Sequence, residues 1–293
     1  MIEETVGPTS HSYFSQRLRL HYVDWGNAGA PPLLLVHGGR DHCRNWDWVA
    51  QRMRGDYHIL APDLRGHGDS QWMLGGSYNL PEFVYDIAQL LHQTELTPTP
   101  IVAHSLGGMI SLLYAGLYPE KVEKLVVIEG LGLSPERTGE VAKQPTADRM
   151  AEWVDELRTI SGRAPKRYPT LEEAYRRMQE ANPHLSPEQA RHLTVHGVNR
   201  NEDGTYSWKF DNYVRQSTPY GLSPSRTREL WSRITCPVLL LRGTESWASD
   251  PAQDGRAENF QNVRVVNIEG AGHWLHHDQL ETFLDLVGEF LNA

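Results

Sequence analysis

Ser105 lies in Pro100-Ile101-Val102-Ala103-His104-Ser105-Leu106-Gly107-Gly108-Met109-Ile110, where an apolar strand pattern runs into a serine and then into a helical pattern. Ala103 and Gly107 supply small residues two positions either side, as a tight strand-to-helix turn requires. Such a turn lifts the hydroxyl clear of the backbone and aims the first N–H groups of the helix at the same spot, where negative charge is favoured. A serine hydroxyl is a weak nucleophile until a neighbouring base takes its proton. Among the chain's 14 histidines, His273 is placed for that role. It ends Gly270-Ala271-Gly272-His273, between the strand pattern Val263–Ile268 and a helix from Leu280 to Leu291. His11, His58, His92, His184, His192 and His196 read instead as surface or satisfied core residues. An acyl-transfer reaction also needs donors for its oxyanion. The backbone N–H of Leu106, just after the serine, and that of Gly39, in His37-Gly38-Gly39, are the expected pair.

The elements that must position these groups follow from the hydrophobic pattern. Leu18, Leu20 and Tyr22 alternate with polar residues in an opening pair of strands around Arg17–Trp25. Continuous apolar runs at Pro32–Val36, His58–Ala61, Val122–Ile128 and Pro237–Leu241 read as strands buried on both faces. The nucleophile strand ends at His104 and its helix runs to about Tyr118; further helices are expected at Leu80–Glu95 and Arg226–Trp231. Between Gly130 and about Ser223 the pattern turns helical, at Ala147–Ile160, Leu171–Ala181 and Ser186–His196. The last opens on Ser186-Pro187-Glu188-Gln189, which combines a serine cap, proline at the first helical position and early acidic charge. Tyr206–Asp211 reads as extended.

Taken with Ile59-Leu60-Ala61-Pro62-Asp63-Leu64-Arg65-Gly66-His67-Gly68-Asp69-Ser70, a strand followed by a D-x-R-G-x-G-x-S turn, these motifs resemble the α/β-hydrolase family nearly end to end. The resemblance implies an α/β fold, with a mostly parallel eight-stranded sheet flanked by helices and the site at the strands' carboxyl ends. It implies residues 1–130 and 224–293 as the core domain, and residues 131–223 as an α-helical cap inserted over the site. A serine at position 105 sets the chain apart from the aspartate-based epoxide hydrolases and dehalogenases of the same fold.

The third catalytic member departs from the family's commonest pattern. An aspartate usually stands about three residues beyond the glycine that follows the strand Pro237–Leu241, but Gly243-Thr244-Glu245-Ser246-Trp247 puts Ser246 there. Glu129, ending the strand Val122–Ile128, matches the acid position of some relatives; Glu245 is the alternative and Asp250 a more distant one. All three keep the chain order serine, acid, histidine. A shift of one position along an extended segment reverses side-chain direction, which disfavours Glu245 and favours Glu129.

Composition narrows the function classes. A formal net charge of -9 argues against a nucleic-acid partner. No apolar run approaches a membrane span, and the acidic Met1-Ile2-Glu3-Glu4-Thr5 lacks a leader pattern, so a soluble cytoplasmic protein is expected. The two cysteines, Cys43 and Cys236, form no disulfide framework. Neither His37, His42 and Cys43 nor His273, His276 and His277 has zinc-ligand spacing, and no metal or other cofactor is expected. Trp46, Trp208, Trp247 and Trp274 are candidates to line a pocket for apolar or aromatic groups. The expected reaction is hydrolysis of small to medium carboxylic esters through an acyl-enzyme, the partner being a small-molecule ester. Lactones, thioesters and carbon–carbon bonds beside a carbonyl use the same machinery, and a ligand-binding sensor could keep it with little turnover. Oligomeric state is not legible.

Overall fold

A computed structural model describes residues 7–75, 78–216, 219 and 221–293; the N-terminal segment 1–5 inspected for a leader lies outside them. The chain opens with two antiparallel strands, β1 (Thr9–Ser15) and β2 (Leu18–Asp24). It continues through β3 (Pro32–Val36), α1 (Asp47–Met53), β4 (His58–Pro62) and α2 (Leu80–Thr94). Next come β5 (Thr99–His104), α3 (Leu106–Leu117) and β6 (Val122–Ile128). The sheet order β1-β2-β4-β3-β5-β6-β9-β10 is completed near the C-terminus by β9 (Val238–Gly243) and β10 (Val263–Ile268). Every pairing from β4 onward is parallel, so the expected eight-stranded, mostly parallel sheet is present.

Two apolar layers sandwich the sheet. One packs α2 and α3 against Leu34, Val36, Ile101, Ala103, Leu125 and Val127. The other packs α1 and the C-terminal helix α9 (Leu280–Asn292) against Leu33, Leu35, Val102, Val126 and Leu239. Alternate residues of β3, β5 and β6 thus face opposite layers, which is why these strands read as unbroken apolar runs.

Between β6 and β9 lie α4 (Pro135–Lys143), α5 (Thr146–Ile160), α6 (Leu171–Ala181) and α7 (Pro187–Gly197). A two-stranded ribbon follows, β7 (Val198–Arg200) with β8 (Tyr206–Trp208), and then α8 (Pro224–Ser232). Ser186 and Gln189 form a full capping box at the start of α7. Neither α4 nor α5 carries a buried residue, and of the two only the longer α5 spans enough turns to show a period in the sequence. The expected extended run Tyr206–Asp211 is strand only to Trp208, and a 3₁₀ turn occupies Asn212–Arg215. No helix among the described residues is long and apolar enough to cross a membrane.

Candidate active site

The turn between β5 and α3 sets Ser105 at φ 50° and ψ −114°, a conformation that costs an L-residue about 1–3 kcal/mol. Its N–H donates to the Ile128 carbonyl at 2.8 Å, and Met109 N–H donates to its carbonyl at 3.1 Å, so β6 and α3 hold the strained residue from both sides. The Ser105 hydroxyl faces His273, with Oγ 3.1 Å from Nε2. On the far side of that ring, Nδ1 donates to Glu129 Oε2 at 2.5 Å.

Glu129 follows the last residue of β6 with φ 48°, and its side chain is fully buried. The Gly243 N–H donates to Oε1 at 2.9 Å and the Ser246 hydroxyl to Oε2 at 2.6 Å. With His273, three donors surround one carboxylate and fix its direction. Glu245 does not reach His273. It is exposed, with its nearest ionic neighbour His184 at 3.9 Å. Asp250 accepts from Asn267 at 2.8 Å and caps the next turn. Ser246, at the position where the acid was sought, is instead a hydrogen-bond donor to the carboxylate that came from β6.

The loop after β3 is held from behind. His37 Nδ1 donates to the Gly38 carbonyl at 2.6 Å, while its Nε2 accepts from the Leu64 N–H at 3.0 Å. A trans peptide points its C=O and N–H in opposite directions, so fixing the Gly38 carbonyl turns the Gly39 N–H the other way. Neither the Gly39 nor the Leu106 N–H donates to an acceptor among the described residues. A Cβ on Gly38 would lie 2.6 Å from His104 Nδ1 and 3.2 Å from Ser105 Cβ, so only glycine lets this loop approach the serine. Burial, with a smaller effect from His67, pushes the His37 imidazole down to about 3, keeping it neutral and able both to donate and to accept.

His104 sits directly beneath the serine. Its Nε2 donates to the His273 carbonyl at 2.9 Å, tying the His273 loop to β5. Burial, then the nearby His273, holds it well below the ordinary histidine range. Sequence reading treated this residue only as the end of the strand; the sole signal was a polar side chain inside an otherwise apolar run.

The four tryptophans divide. Trp247 is 66% exposed, and its ring lies 5.1 Å from that of His273, at the open side of the site. Trp46 was expected at a pocket wall but is fully buried in the core, stacked 4.8 Å from His276. An apolar ring one residue before α1 packs inward once that helix lies on the sheet, and α1 was not foreseen. Trp208 packs on Tyr168 and Phe210 within the insertion, and Trp274 packs against Leu185, Ala190 and Leu193. None of the four lines the 410 Å³ cavity whose wall includes Leu80, Met109, Leu113, Leu131, Leu133 and Trp231. Met109 is one helical turn beyond Ser105 and Leu131 two residues beyond Glu129, so this apolar space adjoins the hydrogen-bonded line. Its residues come from α2, α3, α4 and α8, a combination that only the folded chain assembles.

The chain is similar over most of its length to proteins named for hydrolysis. It is 26% identical over 277 residues to a serine hydrolase-like protein of Danio rerio, covering 91% of this chain and 83% of that one. It is 26% identical over 276 residues to an esterase of Mycobacterium tuberculosis, covering 92% of this chain and 85% of the relative. The solved thioesterase domain from the curacin biosynthetic pathway superposes with a TM-score of 0.84 at 25% identity, covering 98% of this chain and 100% of that domain. A family profile described as the alpha/beta hydrolase fold matches residues 31–280, and the chain belongs to that family.

Proposed function

We propose that this hydrolase cleaves small to medium carboxylic esters through an acyl-enzyme, with Ser105 as nucleophile, His273 as general base and acid, and Glu129 as the acid that orients it. The observation that carries this reading is the continuous line Glu129 Oε2, His273 Nδ1, His273 Nε2, Ser105 Oγ, with separations of 2.5 Å and 3.1 Å at its two hydrogen bonds. As the hydroxyl attacks an acyl carbon, Nε2 takes its proton and the Glu129 carboxylate stabilises the imidazolium. Charge then develops on the carbonyl oxygen, where the N–H groups of Gly39 and Leu106 act as donors. Collapse passes the proton to the leaving alkoxide, and water repeats the sequence in reverse to free the acid. The segment 131–223 serves as the cap. Its α4, with Leu131 and Leu133, supplies part of the 410 Å³ apolar cavity, which receives the acyl chain.

Hydrolysis of p-nitrophenyl esters from acetate upward, by the wild type and by Ser105→Ala, tests the reading. Turnover that peaks at a short to medium chain and vanishes in Ser105→Ala is expected. Equal rates in the two proteins would overturn the serine as nucleophile. Oxygen-ester turnover far below that of matched thioesters would move the substrate class to thioesters, the activity named for the curacin domain.

A further inference from the structure

Away from Ser105, three side chains converge where the core meets the helical insertion. Asp47 is the first residue of α1, and its side chain is 2% exposed. His192 and His196 are one turn apart on α7 and share a face, with their rings 4.5 Å apart. One ligand atom from each of the three lies within 4.8 Å of the others, and His192 Nε2 is 3.0 Å from Asp47 Oδ2. A tetrahedral zinc ion with bonds of about 2.0–2.1 Å sets its ligand atoms roughly 3.3–3.4 Å apart. Small side-chain rotations therefore separate the observed arrangement from a coordination set.

The place already holds a cation. Arg44 Nε donates to both Asp47 oxygens, at 2.9 and 2.8 Å, and its Nη2 lies 2.6 Å from Oδ2. Its Nη1 lies 3.4 Å from His196 Nδ1, so that nitrogen turns its lone pair toward positive charge. Arg44 is 26% exposed and belongs to the 3₁₀ turn Cys43–Trp46, so its head can swing toward solvent. Asp47 can keep Oδ1 for that arginine while Oδ2 turns to an ion.

We propose that Asp47, His192 and His196 form a zinc site that staples α7 of the insertion to α1 of the core, with water in the remaining position. Two neutral imidazoles and one carboxylate are the nitrogen and oxygen donors that zinc accepts, and calcium and magnesium prefer oxygen alone. On binding, each imidazole offers the ion an unprotonated ring nitrogen and keeps its one proton on the other, any displaced proton passing to solvent. The staple would act on the active site through α7. His42, in the loop after Gly39, donates from Nε2 to the Leu193 carbonyl at 3.0 Å. Gln189 Nε2 donates to the His277 carbonyl at 3.1 Å, just beyond His273. Zinc then holds α7 against both catalytic loops.

Equilibrium dialysis with zinc alone, read alongside thermal unfolding, tests the site on the full chain. One zinc per chain and a rise of several degrees in Tm are expected, with no rise in calcium. His196→Ala should weaken zinc binding by about 100-fold and abolish the Tm rise, as loss of one of three ligands requires. His192→Gln, which keeps a polar side chain there, should do the same. Arg44→Gln should tighten binding by about tenfold, because a like charge leaves the ion's vicinity. Zinc binding unchanged in both histidine variants would overturn the proposal and point to His273 or adventitious surface sites, as would the absence of any Tm rise in the wild type.

Discussion

Glu129 and Ser246 come together beside His273 from the ends of two different strands. The carboxylate reaches His273 from the end of β6, and the hydroxyl of Ser246, from the loop after β9, donates to the same oxygen at 2.6 Å. Glu129→Gln should fold normally and lower kcat by about 10³–10⁴, as losses of the orienting acid do elsewhere. Glu245→Gln should leave kcat within about twofold, since its side chain is exposed and remote from the imidazole. Steady-state kinetics of the two variants checks both, and the reverse ranking would reassign the acid. The double variant Glu129→Gln with Ser246→Asp should recover activity over Glu129→Gln alone, because an aspartate at 246 starts from a backbone already within reach of that carboxylate's site. At this scale the meeting of Ser105 with His273 was legible because each sits in a local motif whose neighbours dictate the turn. The contact of Glu129 with His273 was less so, because Glu129 leaves the strand with φ 48° and Glu245 lies in a turn, where alternation along an extended segment does not set side-chain direction. The pocket residues were less legible. An aromatic side chain on a loop can face the core or the solvent, and Trp46 faces the core because the unforeseen α1 follows it.

At the scale of elements, α3 owes its position to a close backbone approach. A Cβ on Gly108 would lie 2.7 Å from Gly130 Cα and 2.8 Å from Val127 Cγ1, so α3 touches the end of β6 where the chain leaves Glu129. Gly108→Ala gains helix propensity worth up to about 1 kcal/mol but forces backbone apart, and overpacking of this kind costs about 1–3 kcal/mol. Net destabilisation with a parallel loss of kcat is expected, since the shift displaces both Ser105 and Glu129. Gly139→Ala, on α4 with nothing within 4 Å of the added carbon, should instead stabilise by up to about 1 kcal/mol. Urea unfolding of the two variants separates the cases, and a stable, fully active Gly108→Ala would remove the argument. The strands β3 to β6 were read nearly to their bounds because burial on both faces leaves uninterrupted apolar runs, whereas the mostly exposed β1 lies outside the range expected for the opening pair. The amphipathic helices were read from their stripes. The short ones, α1 and α4, were not, because helices of seven and nine residues span about two turns and carry little period to detect.

For the whole molecule, the unusual quantity is the number of histidines folded away from water. Burial, as the largest cause, lowers His37 to about 3, His67 to about 4 and His277 to about 3, and holds His104 and His276 well below the ordinary range. In the unfolded chain each would titrate near about 6.5. Between those limits the unfolded state binds the proton and the folded state refuses it, so these groups contribute stability that is complete above about pH 6.5 and is lost as pH falls. Three buried carboxyls, Asp41, Asp86 and Asp278, act in the opposite sense. Burial raises them, so the fold keeps protons that the unfolded chain releases. His42 and His196 are lowered as well, so the lowered histidines outnumber the raised carboxyls and unfolding in mild acid takes up protons on balance. Stability should therefore fall as pH drops below about 6. Urea midpoints measured at pH 7, 6 and 5 with constant ionic strength give the slope directly. The expected result is a steep decline with an unchanged m-value, and His67→Gln, which cannot take up a proton, should flatten it by about one proton's share. A midpoint that stays level from pH 7 to 5 would mean that these rings reach solvent or share protons in the folded state, and that the layer of neutral histidines beneath the active site does not limit where the protein can work.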